Sequence, residues 1–179
     1  MISRLAVGAG AIALVGCSGA EVASSPSSAA DPCRLTVALG GDVEQAIDWS
    51  GSTYCDSARG GDAVALLFGY DEETNATGIR LQLQFIMTDP TSTGSTAPTV
   101  EVHGDCSPTT GCERWTTPLG SCAVNVTAHS LHHEEIKDDY YRITGTGTCP
   151  EPAVQLTGSS EVVVGPLSFD ATHVFAPKP

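Results

Sequence analysis

The chain has 179 residues, of which 8 are Lys or Arg and 21 are Asp or Glu, for a formal net charge of -13. So acidic a chain, with no cluster of Lys and Arg, repels a phosphate backbone, which argues against nucleic acid as a partner and makes a solvated acidic surface the expectation. Charged residues are only 16% of the total while Gly, Ser and Thr are plentiful, which disfavours long surface helices and points to one compact domain.

In chain order, the first element is an apolar run. Arg4 is followed by twelve uncharged residues, Leu5 to Gly16. That length fits the apolar region of an export signal and falls short of the ~20 residues a spanning helix needs. The run ends in Leu14-Val15-Gly16-Cys17, an aliphatic residue, two smaller ones and a cysteine. This resembles the lipobox of bacterial lipoproteins. The resemblance implies that the Cys17 thiol carries a diacylglycerol and that cleavage falls just before it, the new amine being often acylated in that family. An ordinary secretory signal is the alternative, with small residues at Ala11 and Ala13, or Gly16 and Ser18, serving a conventional peptidase and Cys17 left free or removed. In the lipoprotein reading the expected partner is a membrane, reached through the acyl chains. Ser18, where some Gram-negative inner-membrane lipoproteins carry Asp, implies the outer membrane in a Gram-negative host. Otherwise the expected site is the outer face of the plasma membrane. Residues 18–32, "SGAEVASSPSSAADP", hold a single aliphatic residue and read as a tether. The organisation is thus a signal at 1–16, a lipidated tether at 17–32 and a folded domain at 33–179.

The domain reads as strands. "RLTVAL" opens it, and Asp42 is placed to cap a single helical turn over Val43 to Ile47. "DAVALLFGY" alternates Val64, Leu66, Phe68 and Tyr70. "GIRLQLQFIM" sets Ile79, Leu81, Leu83, Phe85 and Met87 against Arg80, Gln82 and Gln84. The loop between them, "DEETNATG", offers Asp71, Glu73 and Asn75 at alternate positions. An EF-hand needs Gly where Ala76 stands and Glu where Gln82 stands, so a hairpin turn is expected. "PTVEVHG" follows. Asp48 beside Trp49, and Glu113 beside Trp115, would suit a sugar platform, though a core or rim role is commoner for Trp.

"CAVNVTAHS" alternates Val124, Val126 and Ala128 against Asn125, Thr127 and His129, and "YYRITGTGTC" is rich in β-branched residues. A hairpin with Cys122 opposite Cys149 would set Val124 against Gly147 and Val126 against Gly145. Between these strands, "LHHEEIKDD" reads as a charged turn. His129, His132 and His133 are the candidate metal ligands. On an extended strand His129 and His133 are roughly 13 Å apart, and the zinc-protease pattern breaks at Lys137. A solvated hairpin tip is therefore expected, and no metal or cofactor is assigned. "YYRITGTGT", Tyr140 to Thr148, resembles a stretch near the end of the mycobacterial lipoprotein antigen family, which implies a small β-rich domain behind a lipobox and carries no site. "AVQLTG", "EVVVGPLSF" and "ATHVF" are the last strand candidates.

With Cys17 set aside, Cys33, Cys55, Cys106, Cys112, Cys122 and Cys149 remain. None forms a CxxC pair, so a disulfide framework is expected over a zinc site. Chain proximity favours 33–55, 106–112 and 122–149. Short strands between Gly, Pro, Asp and Ser turns predict an all-β fold, a two-layer antiparallel β-sandwich or barrel with up to three disulfides. No GxSxG, GxxxxGK[ST] or strand-linked GxGxxG occurs, so no catalytic residue is named. The expected role is a non-catalytic binding or structural module of the cell envelope, its partner a protein, glycan or small ligand. A carrier of a hydrophobic ligand between the sheets and a secreted hydrolase are the alternatives.

Overall fold

The computed structural model describes residues 32–51, 54–60, 63–70, 75, 77–87, 89, 91–107, 111–135 and 138–177. The apolar run, Cys17 and all of the tether except Pro32 lie outside them. Alternation of apolar and polar side chains produces strands throughout, and no α-helix occurs among the described residues.

One layer runs in the order β3 (Cys55–Gly60), β4 (Ala63–Phe68), β5 (Arg80–Ile86), β7 (Thr99–Ser107), β8 (Gly111–Thr116), β11 (Ala153–Gln155). The other runs β2 (Gln45–Ser50), β1 (Cys33–Gly41), β12 (Glu161–Pro177), β10 (Asp138–Thr148), β9 (Ala123–Glu134), β6 (Gly94–Thr96). Every pairing is antiparallel, and β11 hydrogen-bonds to the start of β12, so the two layers share one ladder. No pairing of β3 with β6 closes the ladder among the described residues, so the architecture is a sandwich. Across the interior the Phe85 and Phe169 rings meet at 5.7 Å. Trp49 of β2 packs onto Gly69 after β4, where an added Cβ would stand 2.6 Å from its indole.

β12 joins two stretches that the sequence presents separately, "EVVVGPLSF" and "ATHVF", into one 17-residue strand. Its register against β1 slips between Val37–Leu167 and Leu39–Val164, so Gly165 and Pro166 form a bulge opposite Ala38. Proline lacks an N–H and is tolerated at such a position. The extra residue reverses the alternation: Val162 and Val164 are buried before it, and Leu167, Phe169, Ala171 and His173 after it.

The expected helical turn at Val43–Ile47 does not form. Gln45 to Ser50 pairs with β1 as a hairpin, and the Asp42 carboxylate that would have capped the turn accepts the Glu161 N–H at 2.8 Å instead. That bond, with one from the Ser160 side chain as the larger cause, holds the Asp42 carboxyl below the usual range. The "LHHEEIKDD" segment is also less turn-like than expected. β9 continues to Glu134 and β10 starts at Asp138, so His132, His133 and Glu134 belong to a strand, and Glu135 N–H donates to the Asp138 carbonyl at 2.8 Å.

The β9–β10 register is the expected one, with Val124 opposite Gly147 and Val126 opposite Gly145. Cys122 and Cys149 are bonded, with Cα atoms 4.1 Å apart, and Cys33 bonds to Cys55 across the two layers at 5.6 Å. Cys112 is disulfide-bonded as well, and Cys106 stands opposite it in the β7–β8 register. On the chain-entropy account each bridge stabilises the fold by roughly 3 kcal/mol.

A Cβ on Gly145 would lie 2.6 Å from Phe169 Cζ and 2.9 Å from the Asn125 carbonyl oxygen, whereas one on Gly40 meets nothing nearer than 3.8 Å. Gly145→Ala is therefore expected to lower stability by about 1–3 kcal/mol in urea unfolding, and Gly40→Ala by less than about 0.5 kcal/mol. Equal costs would contradict the packing described.

Candidate functional site

The candidate histidines do not act as one group. The β9–β10 register slips between Val126–Gly145 and Ala128–Thr144, which makes Thr127 a bulged residue. Ala128, expected to follow Val124 and Val126 inward, is exposed, and His129 turns into the interior at 5% exposure. A second slip at His132 lies nearer the hairpin tip. There His133 stacks on Tyr140 at 4.3 Å and lies 3.9 Å from the Glu135 carboxylate. No group of three or more His, Cys, Asp or Glu converges for a metal ion among the described residues.

The partner of His129 is His173 of β12, fully buried, with the two Nε2 atoms 2.8 Å apart. His129 Nδ1 lies 3.2 Å from the Ser92 carbonyl oxygen, which can only accept. Nδ1 therefore carries the proton, and His129 Nε2 accepts from His173 Nε2–H in the neutral pair. Tyr141 sits beside both rings, at 5.9 and 6.2 Å between centroids. Burial pushes the His129 pKa down, against smaller upward effects of the Ser92 bond and Asp89.

Other sequence candidates resolve into structural roles. Trp49 and Trp115 are 7% and 2% exposed, so neither is a sugar platform, and Trp115 Nε1 donates to Ser160 Oγ at 3.0 Å. Of the acidic loop, residues 71–74 and 76 lie outside the described residues. Asn75 is buried, its Nδ2 donating at 2.6 Å to both the Gly69 and Ile79 carbonyls while its Oδ1 accepts from Thr77. The amide nitrogen thus ties the two ends of the hairpin loop together.

A further polar cluster among the described residues is one that reading along the sequence missed. On the outer face of the first layer Arg80, His103 and Arg114 stand directly opposite one another on β5, β7 and β8. Glu101, two residues before His103 and on its face, is only 7% exposed. Arg114 Nη2 donates to Oε1 at 2.7 Å and lies 2.6 Å from Oε2. His103 Nε2 lies 3.3 Å from Oε2, without an aligned hydrogen bond, and the two form an ion pair only when the imidazole is protonated. The Arg80 guanidinium is 5.6 Å from the centre of the Tyr70 ring, which meets His103 edge-on at 6.0 Å. Burial is the main cause that raises the Tyr70 pKa and lowers that of His103, while the Glu101 hydrogen bond raises that of Arg114. Glu101 and His103 in "VEVH" were the local signal, because residues two apart on a strand share a face.

Folded-state pKa values below the unfolded value make His129 and His103 costly to protonate. Their contribution to stability is complete above the unfolded pKa of about 6.5 and is lost as pH falls below it. Urea midpoints are expected to drop between about pH 7.5 and 5.5, above the range where carboxylates titrate, and His129→Phe should flatten that dependence. At the higher pH the same substitution should cost about 1–3 kcal/mol, because His173 loses its acceptor. A pH profile unchanged by His129→Phe would contradict the buried pair. No family model, no curated protein and no solved structure matches the chain.

Proposed function

We propose that the chain is an exported bacterial lipoprotein, held on a membrane by acyl chains at Cys17, whose β-sandwich is a non-catalytic binding module of the cell envelope. The observation that carries this reading is the cysteine accounting. All five cysteines with described side chains, Cys33, Cys55, Cys112, Cys122 and Cys149, are disulfide-bonded. Cys106 faces Cys112 in the register. That accounting singles out Cys17, at the end of the short apolar run, as the seventh. Disulfides persist in oxidising compartments, which agrees with export. Two or three acyl chains, at ~0.8 kcal/mol per buried methylene, hold a soluble domain durably on a bilayer.

The sandwich suits binding on its outside. Phe85 and Phe169 meet between the layers, and Leu66, Leu83 and Val100 are fully buried there. This favours a surface partner, whether protein, glycan or small ligand, over a lipid carried between the sheets. Ser18 after Cys17 favours the outer membrane where the host has one.

Expression in a Gram-negative host with detergent phase separation tests the anchor. The wild-type chain is expected in the detergent phase. Cys17→Ser is expected to lose lipidation, to stay uncleaved or be cut elsewhere, and to lose its label from radioactive palmitate. Ser18→Asp should keep the label and move the protein to the inner membrane. Palmitate labelling of Cys17→Ser equal to that of the wild type would contradict the proposal.

A further inference from the structure

The shortest strand of the second layer lies beside the buried imidazole pair. β6 has three residues and pairs with Val124–Val126 of β9, with no second strand on its other side among the described residues. Thr91, Ser92 and Thr93, which lead into it, are exposed. The Ser92 carbonyl accepts from His129 Nδ1 at 3.2 Å. One relay of hydrogen bonds therefore runs from the interior to this edge, from His173 Nε2–H to His129 Nε2 and from His129 Nδ1–H to Ser92.

The relay depends on a single proton between the two Nε2 atoms, which are 2.8 Å apart. A proton added to His129 Nε2 would set N–H against N–H, two donors with no acceptor between them. A proton added to His173 instead would charge a ring with no exposed surface, at the desolvation cost of a buried ion. Either cost is relieved when the rings part and water enters.

The titratable groups around the pair come from each element packed on it. β12 contributes His173 itself, and β10 contributes Tyr141, with Asp139 two residues before it. On β9, His132 and His133 lie past the second register slip, toward the hairpin tip. The segment before β6 contributes Asp89, whose Oδ1 accepts from the Thr91 N–H and hydroxyl. Its charge favours protonated His129, but it is the smallest of the effects on that ring.

Of the strands near the pair, β10 and β12 are long and paired on both sides, whereas three residues hold β6. Opening takes the element that costs least to detach. β6 covers the edge of β9 there. Its Ser95 also lines a groove of about 450 Å³ with Asn125, Thr146, Thr148 and Pro166.

We propose that the His129–His173 pair is a pH-operated latch on β6: on mild acidification the rings part, residues 91–96 are released, and the β9 edge with the groove beside it is uncovered. The latch is independent of the anchor at Cys17 and acts before the fold as a whole is lost.

Hydrogen exchange read by mass spectrometry on the purified full-length protein in neutral detergent, corrected for the intrinsic effect of pH on exchange, tests it. An opening coupled to one proton becomes about 10-fold more populated from pH 7.5 to 5.5 when the freed ring titrates near 6.5. Protection of residues 94–96 and 124–126 is expected to fall by that factor. β2, the other edge strand of the same layer, should keep its protection within ~2-fold. His129→Phe and His173→Phe should each abolish the dependence in β6. Both variants retain His103, so the loss is assigned to the pair. Near-ultraviolet circular dichroism checks folding. Should either variant fail to fold, the other carries the test, and the wild-type comparison of β6 with β2 needs neither. Protection of β6 that falls no more than that of β2, or a pH dependence that persists in a folded variant, would overturn the proposal. So would loss of protection in all strands together, which marks global unfolding and not release of β6.

Discussion

The sandwich depends on β12 serving both of its layers. This strand takes β1 along one edge, and β11 and then β10 along the other, so the ladder passes between layers without a break. It can do so because of the bulge at Gly165–Pro166, which reverses which side chains face inward partway along the strand. A strand of this length with unbroken alternation would expose either its Val162–Val164 pair or its Leu167–Phe169–Ala171 series. At roughly 1.5–3 kcal/mol per buried large aliphatic or aromatic side chain, either loss would rival the stability of a domain this size. Proline at the bulge costs little, because a bulge already interrupts the ladder.

The same physics acts again in β9, with a different consequence. There a bulge at Thr127 turns His129 inward, where His173, delivered by the second half of β12, meets it. Two irregularities in two strands thus create one buried polar pair that neither segment contains alone. The disulfides act on the complementary problem of holding the edges. Cys33–Cys55 ties the start of β1 to β3 across the layers, and Cys122–Cys149 closes the base of the β9–β10 hairpin. The first of these lies next to Pro32, where the folded domain meets the proposed tether, so tension on an anchor would be borne by a covalent bridge and a central strand.

Where the fold was legible in the sequence, the signal was local and had period two. Leu81, Leu83 and Phe85 are buried as their alternation implied, and setting Cys122 opposite Cys149 gave the register that places Gly147 and Gly145 against Val124 and Val126. Legibility failed where a long-range contact outweighed a local preference. Asp42 looked like a helix cap because nothing nearby shows that its carboxylate is taken by the backbone of Glu161. "EVVVGPLSF" and "ATHVF" read as separate strands parted at Asp170, since nothing local shows that one strand runs on through it. The candidate sites follow the same rule. His129 was visible and its partner was not, being 44 residues away. The Arg80–His103–Arg114 row exists only once three strands are set in register.

The central claim concerns Cys17, since it fixes compartment, topology and redox state together. Intact-protein mass spectrometry of the chain extracted from the membrane of an expressing bacterium tests it in one reading. The account predicts a mature chain starting at Cys17, heavier by a diacylglycerol with or without a further acyl group, and lighter by the hydrogens of the disulfides among the remaining cysteines. A chain cleaved at another position and carrying no acyl mass would contradict it.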